Sequence, residues 1–561
     1  MNSLITKPGV HVLILLGAIA SFVFFQFFYP YHLFYQEQNQ LFLFSWDYIT
    51  TYLDKPGWLA CLTGDFLTQF YYYRYAGPTI LTLSILMAGY NVRCGVEDAD
   101  IKGTWIPYTI AIAVMTMLVC FSLHYDYRLS SIIAIAGGAN VFRFSTKILV
   151  STRMSIKKLE NQALRHTSID GTRLPQWITA VSIFISMLVC HWFFGCGMWI
   201  YAALVLIGCI KYINKPGNYT RLAAIAIPLF IIILDKRLYF IDFHTLYTYP
   251  GLGKFVKPQM DLEKTLAADC EYYFGNYNKV VNMIEKDKEP NSYMKFYYNL
   301  ISAQGRSLPA VLLKFPSNNL GTFETLGPDT PSLTIKTLNE LYWLLGDMTF
   351  CERAAMLANV CSPENRNIRM MKRLAEINLV KGDYDAARKY LRILQKTFVW
   401  SRWANRAFDA LGKKASSYDK SLLQQYIDKR PYLNTQDTLR QNDNCHTIMS
   451  ELMESNPNNN IAINYMLCSD LLLKDMETFK HDYDAYYLKQ QNVTYEKLYQ
   501  EALAIYLAGT KAPPAEWAKY IKRQDVLQRF KLYNEQRGNP AFKDTYWYYF
   551  DKAEAPKLNN N

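Results

Sequence analysis

The sequence predicts an all-α protein in two parts, a polytopic membrane domain of seven transmembrane helices followed by a solenoid of paired helices. Three observations predict it. Long apolar runs crowd residues 1 to about 240, Lys and Arg are distributed unevenly among the loops between them, and the remaining chain carries a recurring helix-pair pattern. The expected organisation is a membrane domain over 1–242 with a long first loop at 29–75, a repeat domain over 243–550, and a polar disordered terminus over 551–561.

Apolar runs at about 10–28, 76–92, 106–123, 130–150, 177–194, 197–213 and 221–240 are each read as long enough to cross the hydrocarbon. The first lacks a small-x-small cleavage site and is followed by further runs, so it is read as an anchor rather than a signal peptide. The fourth carries Arg143 and Lys147 toward one end, where long basic side chains snorkel to the interface. With the N-terminus inside, segments 1–9, 93–105, 151–176 and 211–221 hold eleven basic residues, whereas the opposite loops hold only Lys55, Arg74 and Arg128. That bias places the N-terminus in the cytoplasm and, after seven spans, the tail outside. In a bacterium this means an inner-membrane protein with a periplasmic C-terminal domain.

The formal net charge of +12 divides almost evenly between the two parts, and no Lys/Arg tract is present. Nucleic acid is therefore excluded as a partner. Eleven cysteines without a Cys-x-x-Cys pair form neither a disulfide framework nor a zinc site, and read as buried free thiols.

The clearest repeat unit is "RLAEINLVKGDYDAARKYLRIL", with Ala375, Gly382, Tyr384 and Ala387 at spacings that let two short antiparallel helices pack closely. Weaker copies surround Gly275, Gly305 and Gly346, and a degenerate one runs through 464–483. Glycine spacings of 30, 41 and 36 lie near the period of about 34 that marks the tetratricopeptide repeat, which this unit resembles. Such units bury their apolar faces by stacking, so the tail is expected to be a TPR-like solenoid that binds a periplasmic protein or glycan.

Acidic residues away from the basic loops are few. The first outer loop opens with "YPYHLFYQEQNQLFLFSWDY" and holds His32, Glu37, Asp47, Asp54 and Asp65. The second, "HYDYRL", holds His124, Asp126 and Arg128, and the last span ends in "LDKRLYFIDFH" with Asp235, Lys236 and Arg237. One helix over 33–54 would line Leu41, Phe44, Tyr48 and Tyr52 along one side as an interfacial anchor, with Glu37, Gln40, Asp47 and Asp54 in an arc of about 100°. Plain readings stand beside the functional one: an aromatic anchor, an Asp126–Arg128 pair, snorkelling Lys236 and Arg237, and an interfacial His191. In the functional reading Glu37, Asp47 and Asp126 supply a general base or hold a divalent ion, the only cofactor the set suggests. Arg128, Lys236, Arg237 and His32 then meet a lipid-linked phosphate.

This layout resembles GT-C-fold membrane glycosyltransferases, which carry an acidic motif after span one and another in the short loop after span three. The resemblance matches Glu37 and Asp47 to the first position and Asp126 to the second, although the second loop has one carboxylate where the family pairs two. The stretch from Tyr29 to Phe70, with the rest of the chain, is also similar to a Bacteroidota inner-membrane family without an assigned activity. The implied function is transfer of sugar from a polyprenyl-phosphate carrier to a periplasmic glycan or protein. The alternative is a non-enzymatic, membrane-anchored TPR scaffold for envelope assembly or secretion.

Overall fold

In the computed structural model every regular element among the described residues is helical. The structure describes residues 7–101, 105–163, 176–210, 217–305, 308–315, 330–412, 416–434, 445–491 and 493–553. Residues 554–561 of the expected polar terminus, and much of the basic stretch 151–176, lie outside that set. The chain divides into two compact units, residues 1–260 with 396–399 and residues 261–395 with 400–561.

The first unit begins with α1 (Lys7–Val23), which runs into a π-helical turn at Phe24–Phe28. It continues through α2 (Tyr31–Gln38), α3 (Trp58–Thr68), α4 (Ala76–Asp98), α5 (Ile106–Phe121) and α6 (Leu129–Ala163). Then come α7 (Gln176–Phe194), α8 (Met198–Ile210), α9 (Gly217–Tyr239) and α10 (Phe243–Thr248). Among the described residues four segments are long and apolar enough to cross a membrane: Gly9–Phe28, Ala76–Asp98, Leu129–Thr152 and Gln176–Cys209.

Four replaces the expected seven, for three physical reasons. The 16-residue α5 reaches only about 24 Å, short of the hydrocarbon thickness of about 30 Å. The runs at 177–194 and 197–213 merge into one apolar segment interrupted by a turn at Gly195–Gly197. Helix α9 carries charge toward both ends, at Arg221 and at Asp235, Lys236 and Arg237, which leaves too short an uncharged stretch between them. Arg143 also departs from its expected role as an interface anchor. It donates to Asn91 Oδ1 at 3.0 Å and pairs with Asp98 at 3.6 Å, so α4 and α6 are joined by a polar clasp.

The stretch 33–54 is not one helix. α2 stops at Gln38, residues 39–45 are non-helical, and short turns follow at Trp46–Thr50 and Thr51–Asp54. The break lets the Leu41 carbonyl accept from the Tyr48 hydroxyl, a bond that continuous helix would have given to a backbone amide. Phe42, Tyr48 and Tyr52 bury themselves with Cys61 of α3, so these rings form a small core rather than one outward stripe, and Phe44 alone of the expected stripe is exposed.

Glycines set the closest approach in this unit. A Cβ on Gly138 of α6 would stand 2.0 Å from the Gly197 carbonyl oxygen, and one on Gly197 would stand 2.1 Å from that of Ala134. Gly138→Ala is therefore expected to destabilise the first unit by about 1–3 kcal/mol. Thermal unfolding of the detergent-solubilised protein checks this, and an unchanged midpoint would count against so tight a crossing.

The second unit carries α11 (Met260–Tyr273), α12 (Tyr277–Lys286), α13 (Ser332–Leu345), α14 (Met348–Val360), α15 (Ile368–Lys381) and α16 (Tyr384–Leu394). Farther on lie α17 (Asn460–Leu473) and α18 (Met476–Asp482). The joints α13–α14, α15–α16 and α17–α18 share one construction. Gly346, Gly382 and Lys474 adopt left-handed φ values of 91°, 82° and 59°. Asp347, Asp383 and Asp475 then cap the next helix by accepting from the amides of Phe350, Ala386 and Thr478. A left-handed residue ends one helix and an aspartate starts the next, which is why Gly-Asp recurs in the sequence. Gly305 has an ordinary φ of −77°, so its copy lacks that joint.

Candidate functional site

Among the expected site residues, the structure brings the first and second loops together. The π turn at Phe24–Phe28 delivers the chain into Pro30 and α2, whose start is pinned by ring and hydroxyl contacts. The Tyr29 hydroxyl donates to the Leu123 carbonyl at 3.1 Å, and His32 Nδ1 lies 2.7 Å from the Tyr29 carbonyl. One turn later the Gln36 amide donates to the carbonyls of Tyr125 at 2.9 Å and Tyr127 at 3.1 Å. Those two carbonyls flank Asp126, so α2 and "HYDYR" are held as one piece. Tyr35 and Tyr125 stack edge to face beside them, with ring centroids 5.9 Å apart.

Glu37, the next residue on α2, is 3% exposed. Its carboxyl makes no hydrogen bond or ion pair with any described residue, and burial pushes its pKa from the usual 4.5 up to about 8. It is consequently protonated at neutral pH, and it becomes an unusually strong carboxylate base once ionised. The Tyr72 phenol is raised by burial and by the nearby Glu37 charge, which locates that carboxyl beside the turn Gln69–Tyr72. His32 is equally enclosed, and burial lowers its imidazole to about 4 despite backbone contacts at Tyr29 and Ser122. It is a neutral ring at pH 7 and supplies no cation for a phosphate.

The remaining expected residues lie at the rim of this centre or apart from it. Asp126 is exposed and Arg128 half-buried at the rim of the second loop. Asp47 is exposed on the short turn that also exposes Trp46. Lys236 lies over the Phe243 ring at 3.8 Å and Arg237 is exposed. Among the described residues no contact joins either of them to Glu37 or Asp126. They belong instead with Asp235, which lies 3.6 Å from His191 Nδ1, and with α10, whose Leu246 carbonyl sits 3.1 Å from His191 Nε2. His191 is thus a buried clasp between α7, α9 and α10, not an interfacial ring.

Sequence reasoning gave no role to the residues that organise the centre. Gln36 was visible only as one amide in a run of them. Asp65 of α3 accepts from the Tyr52 hydroxyl at 2.9 Å, and its backbone carbonyl accepts from the Gln40 amide at 3.1 Å. A polar relay of Tyr48, Tyr52 and Asp65 therefore braces the loop from the far side. The density of amides and phenols among apolar rings was the available signal, because buried polar groups require partners. Among the described residues no group of three His, Cys, Asp or Glu side chains is arranged to hold a metal ion.

No curated protein and no solved structure matches the chain. The sequence profile of DUF6057 matches residues 5–553, and the chain belongs to that family of unknown function.

Proposed function

We propose that this protein is an integral inner-membrane glycosyltransferase of GT-C type. It takes sugar from a polyprenyl-phosphate carrier, and its second unit, read as a periplasmic TPR-like solenoid, presents a glycan or protein acceptor. The observation that carries this reading is the Gln36 amide bonded at 2.9 and 3.1 Å to the two carbonyls that flank Asp126, one residue before buried Glu37. The transfer needs both acidic positions at one place, and that pair of bonds is consistent with it.

In the reaction the acceptor oxygen or nitrogen attacks the anomeric carbon while the carrier phosphate leaves with the bonding electrons. The acceptor must lose a proton as its nucleophilicity is used. In this reading the ionised form of Glu37, which its raised pKa makes the minor form at neutral pH, takes the proton, and burial makes that carboxylate a stronger base than an exposed one. Asp126 orients the acceptor at the rim, and Arg128, permanently cationic, offsets charge on the leaving phosphate. Asp47 has no part in the step, and Lys236 and Arg237 serve as basic anchors near the membrane surface.

Glu37→Gln and Asp126→Asn, introduced in the native host, are expected to reduce transfer by about 10²-fold or more. The glycan and glycoprotein profile of the cells reads this directly. Unchanged profiles at wild-type protein levels would remove the enzyme reading. They would favour the scaffold alternative, which the recurring Gly-Asp joints of the second unit support.

A further inference from the structure

A cavity of about 110 Å³ lies between α1, α4 and α5. Leu13, Gly17 and Ser21 line it from α1, Thr82 from α4, and Thr116 and Val119 from α5. The lining is apolar apart from three hydroxyls, and no charged side chain contributes to it. Chain direction orders these groups. α1 and α5 end, and α4 begins, at the loops that carry Glu37 and Asp126. Ser21, Thr82, Thr116 and Val119 therefore occupy the loop end of the cavity, while Leu13, Leu86 and Ile112 occupy the deeper end.

Two features show that the space is built to receive something. The hydroxyl oxygens of Ser21 and Thr82 are buried without a hydrogen-bond partner among the described residues, and Thr82 as a whole is only 8% exposed. A buried hydroxyl is costly to leave without a partner. Gly17 lines the cavity, yet a Cβ added there would meet nothing within 4 Å. Leu13 lines the cavity and is itself exposed, and Leu15, Leu16 and Ile19 are exposed elsewhere on α1, so the cavity borders a lipid-facing helix.

We infer that this cavity seats the first isoprene unit of a prenyl phosphate, with the chain entering from the bilayer and the head lying at the Glu37–Asp126 loops. The gradient from apolar depth to hydroxylated loop end matches a hydrocarbon that terminates in a polar ester. Ser21 and Thr82 donate to the phosphoester oxygen where the chain begins. The volume approaches the cavity of about 150 Å³ that takes up a benzene-sized hydrocarbon, so it holds a five-carbon unit of one chain. A narrow seat between three helices fits a single-chain amphiphile and not the paired chains of a phospholipid. Continuity with the loop centre comes through one core, in which Ile85 and Met115 pack in the same cluster as Tyr29 and Leu33. The identity of the carrier rests on the glycosyltransferase reading.

The test uses the full-length protein in lipid nanodiscs with a photoreactive prenyl phosphate, followed by mapping of the labelled peptides. Label is expected on α1, α4 and α5, displaced by unlabelled prenyl phosphate and not by phosphatidylethanolamine. Gly17→Leu, whose Cβ meets nothing within 4 Å and whose side chain projects into the space, is expected to lower labelling about tenfold. Thr82→Val, which keeps the volume and removes the hydroxyl, is expected to lower it several-fold. Label mapping elsewhere, equal displacement by the phospholipid, or full labelling of both variants would overturn the seat. Glu37→Gln separates the two proposals. Label retained with transfer unaffected sinks the catalytic reading alone, and transfer that depends on Glu37 without label in the cavity sinks the seat alone.

Discussion

Replacing Arg369 with Met is expected to lower the stability of the second unit by about 3–5 kcal/mol, because it strands buried Asp269 and takes from buried Glu340 one of its two guanidinium partners. The Arg369 guanidinium on α15 donates to Asp269 Oδ2 at 2.8 Å and Oδ1 at 3.0 Å, and to Glu340 Oε1 at 2.9 Å. It is 2% exposed and lies over the Tyr273 ring, with 4.6 Å to the centroid. Asp269 also accepts from the Tyr297 hydroxyl at 2.6 Å, and Glu340 from Arg373 at 2.7 Å. Burial alone would raise the Asp269 carboxyl, but the guanidinium outweighs it and holds the pKa below the usual 3.8. A group depressed in this way stabilises the fold above its unfolded pKa and loses that contribution as pH falls through the folded one. Hydrogen exchange in α11, α13 and α15 reads the loss locally. Adding Asp269→Asn to Arg369→Met should recover part of the stability, since the stranded charge is then removed. A loss below about 1 kcal/mol would show that the network is dispensable.

Glu37→Gln is expected to make the first unit more stable than wild type at alkaline pH, with a gap that vanishes in acid. The folded carboxyl titrates at about 8 and the unfolded one at its usual 4.5. Between those values the folded state holds a proton that the unfolded chain has released. Rising pH therefore erodes wild-type stability across this window by about 1.4 kcal/mol per unit and leaves the Gln variant untouched. Below pH 4.5 both side chains are neutral, and above about 8 the gap stays constant. Thermal midpoints of the solubilised protein from pH 4 to pH 9 measure it. Parallel curves for the two proteins would mean that Glu37 is solvated in the folded state. The same substitution removes the proposed base, so loss of transfer alongside gained stability would mark a group held in a costly place for function.

Much of the helical architecture was legible because it depends on local spacing. Gly382 followed by Asp383 encodes a left-handed stop and a capped start within two residues, and the structure forms both. The degenerate copy was readable for the same reason, with Lys474 adopting the left-handed turn that glycine usually supplies. Counting membrane spans from apolar runs failed where length and burial diverge. Helix α5 is apolar but short, and α9 is long but charged toward both ends. Periodicity also misled at 33–54, where side-chain bonds from Tyr48 and Tyr52 outcompete the helix that the spacing allowed.

By itself the sequence determined that the protein is helical, that its first part is rich in membrane-length apolar helices, and that its tail is assembled from capped helix pairs. Those properties follow from composition and from contacts a few residues apart. Only the tertiary structure decided which polar groups meet. Gln36 and Tyr125 are 89 positions apart, and Arg369 and Asp269 are 100 apart, so no local pattern encodes either bond. The fold selected Glu37 from the first loop's acids as the enclosed one, left Asp47 in solvent, and removed Lys236 and Arg237 to another cluster. Burial and partnership are properties of packed helices, and they set the chemistry that the residue types alone left open.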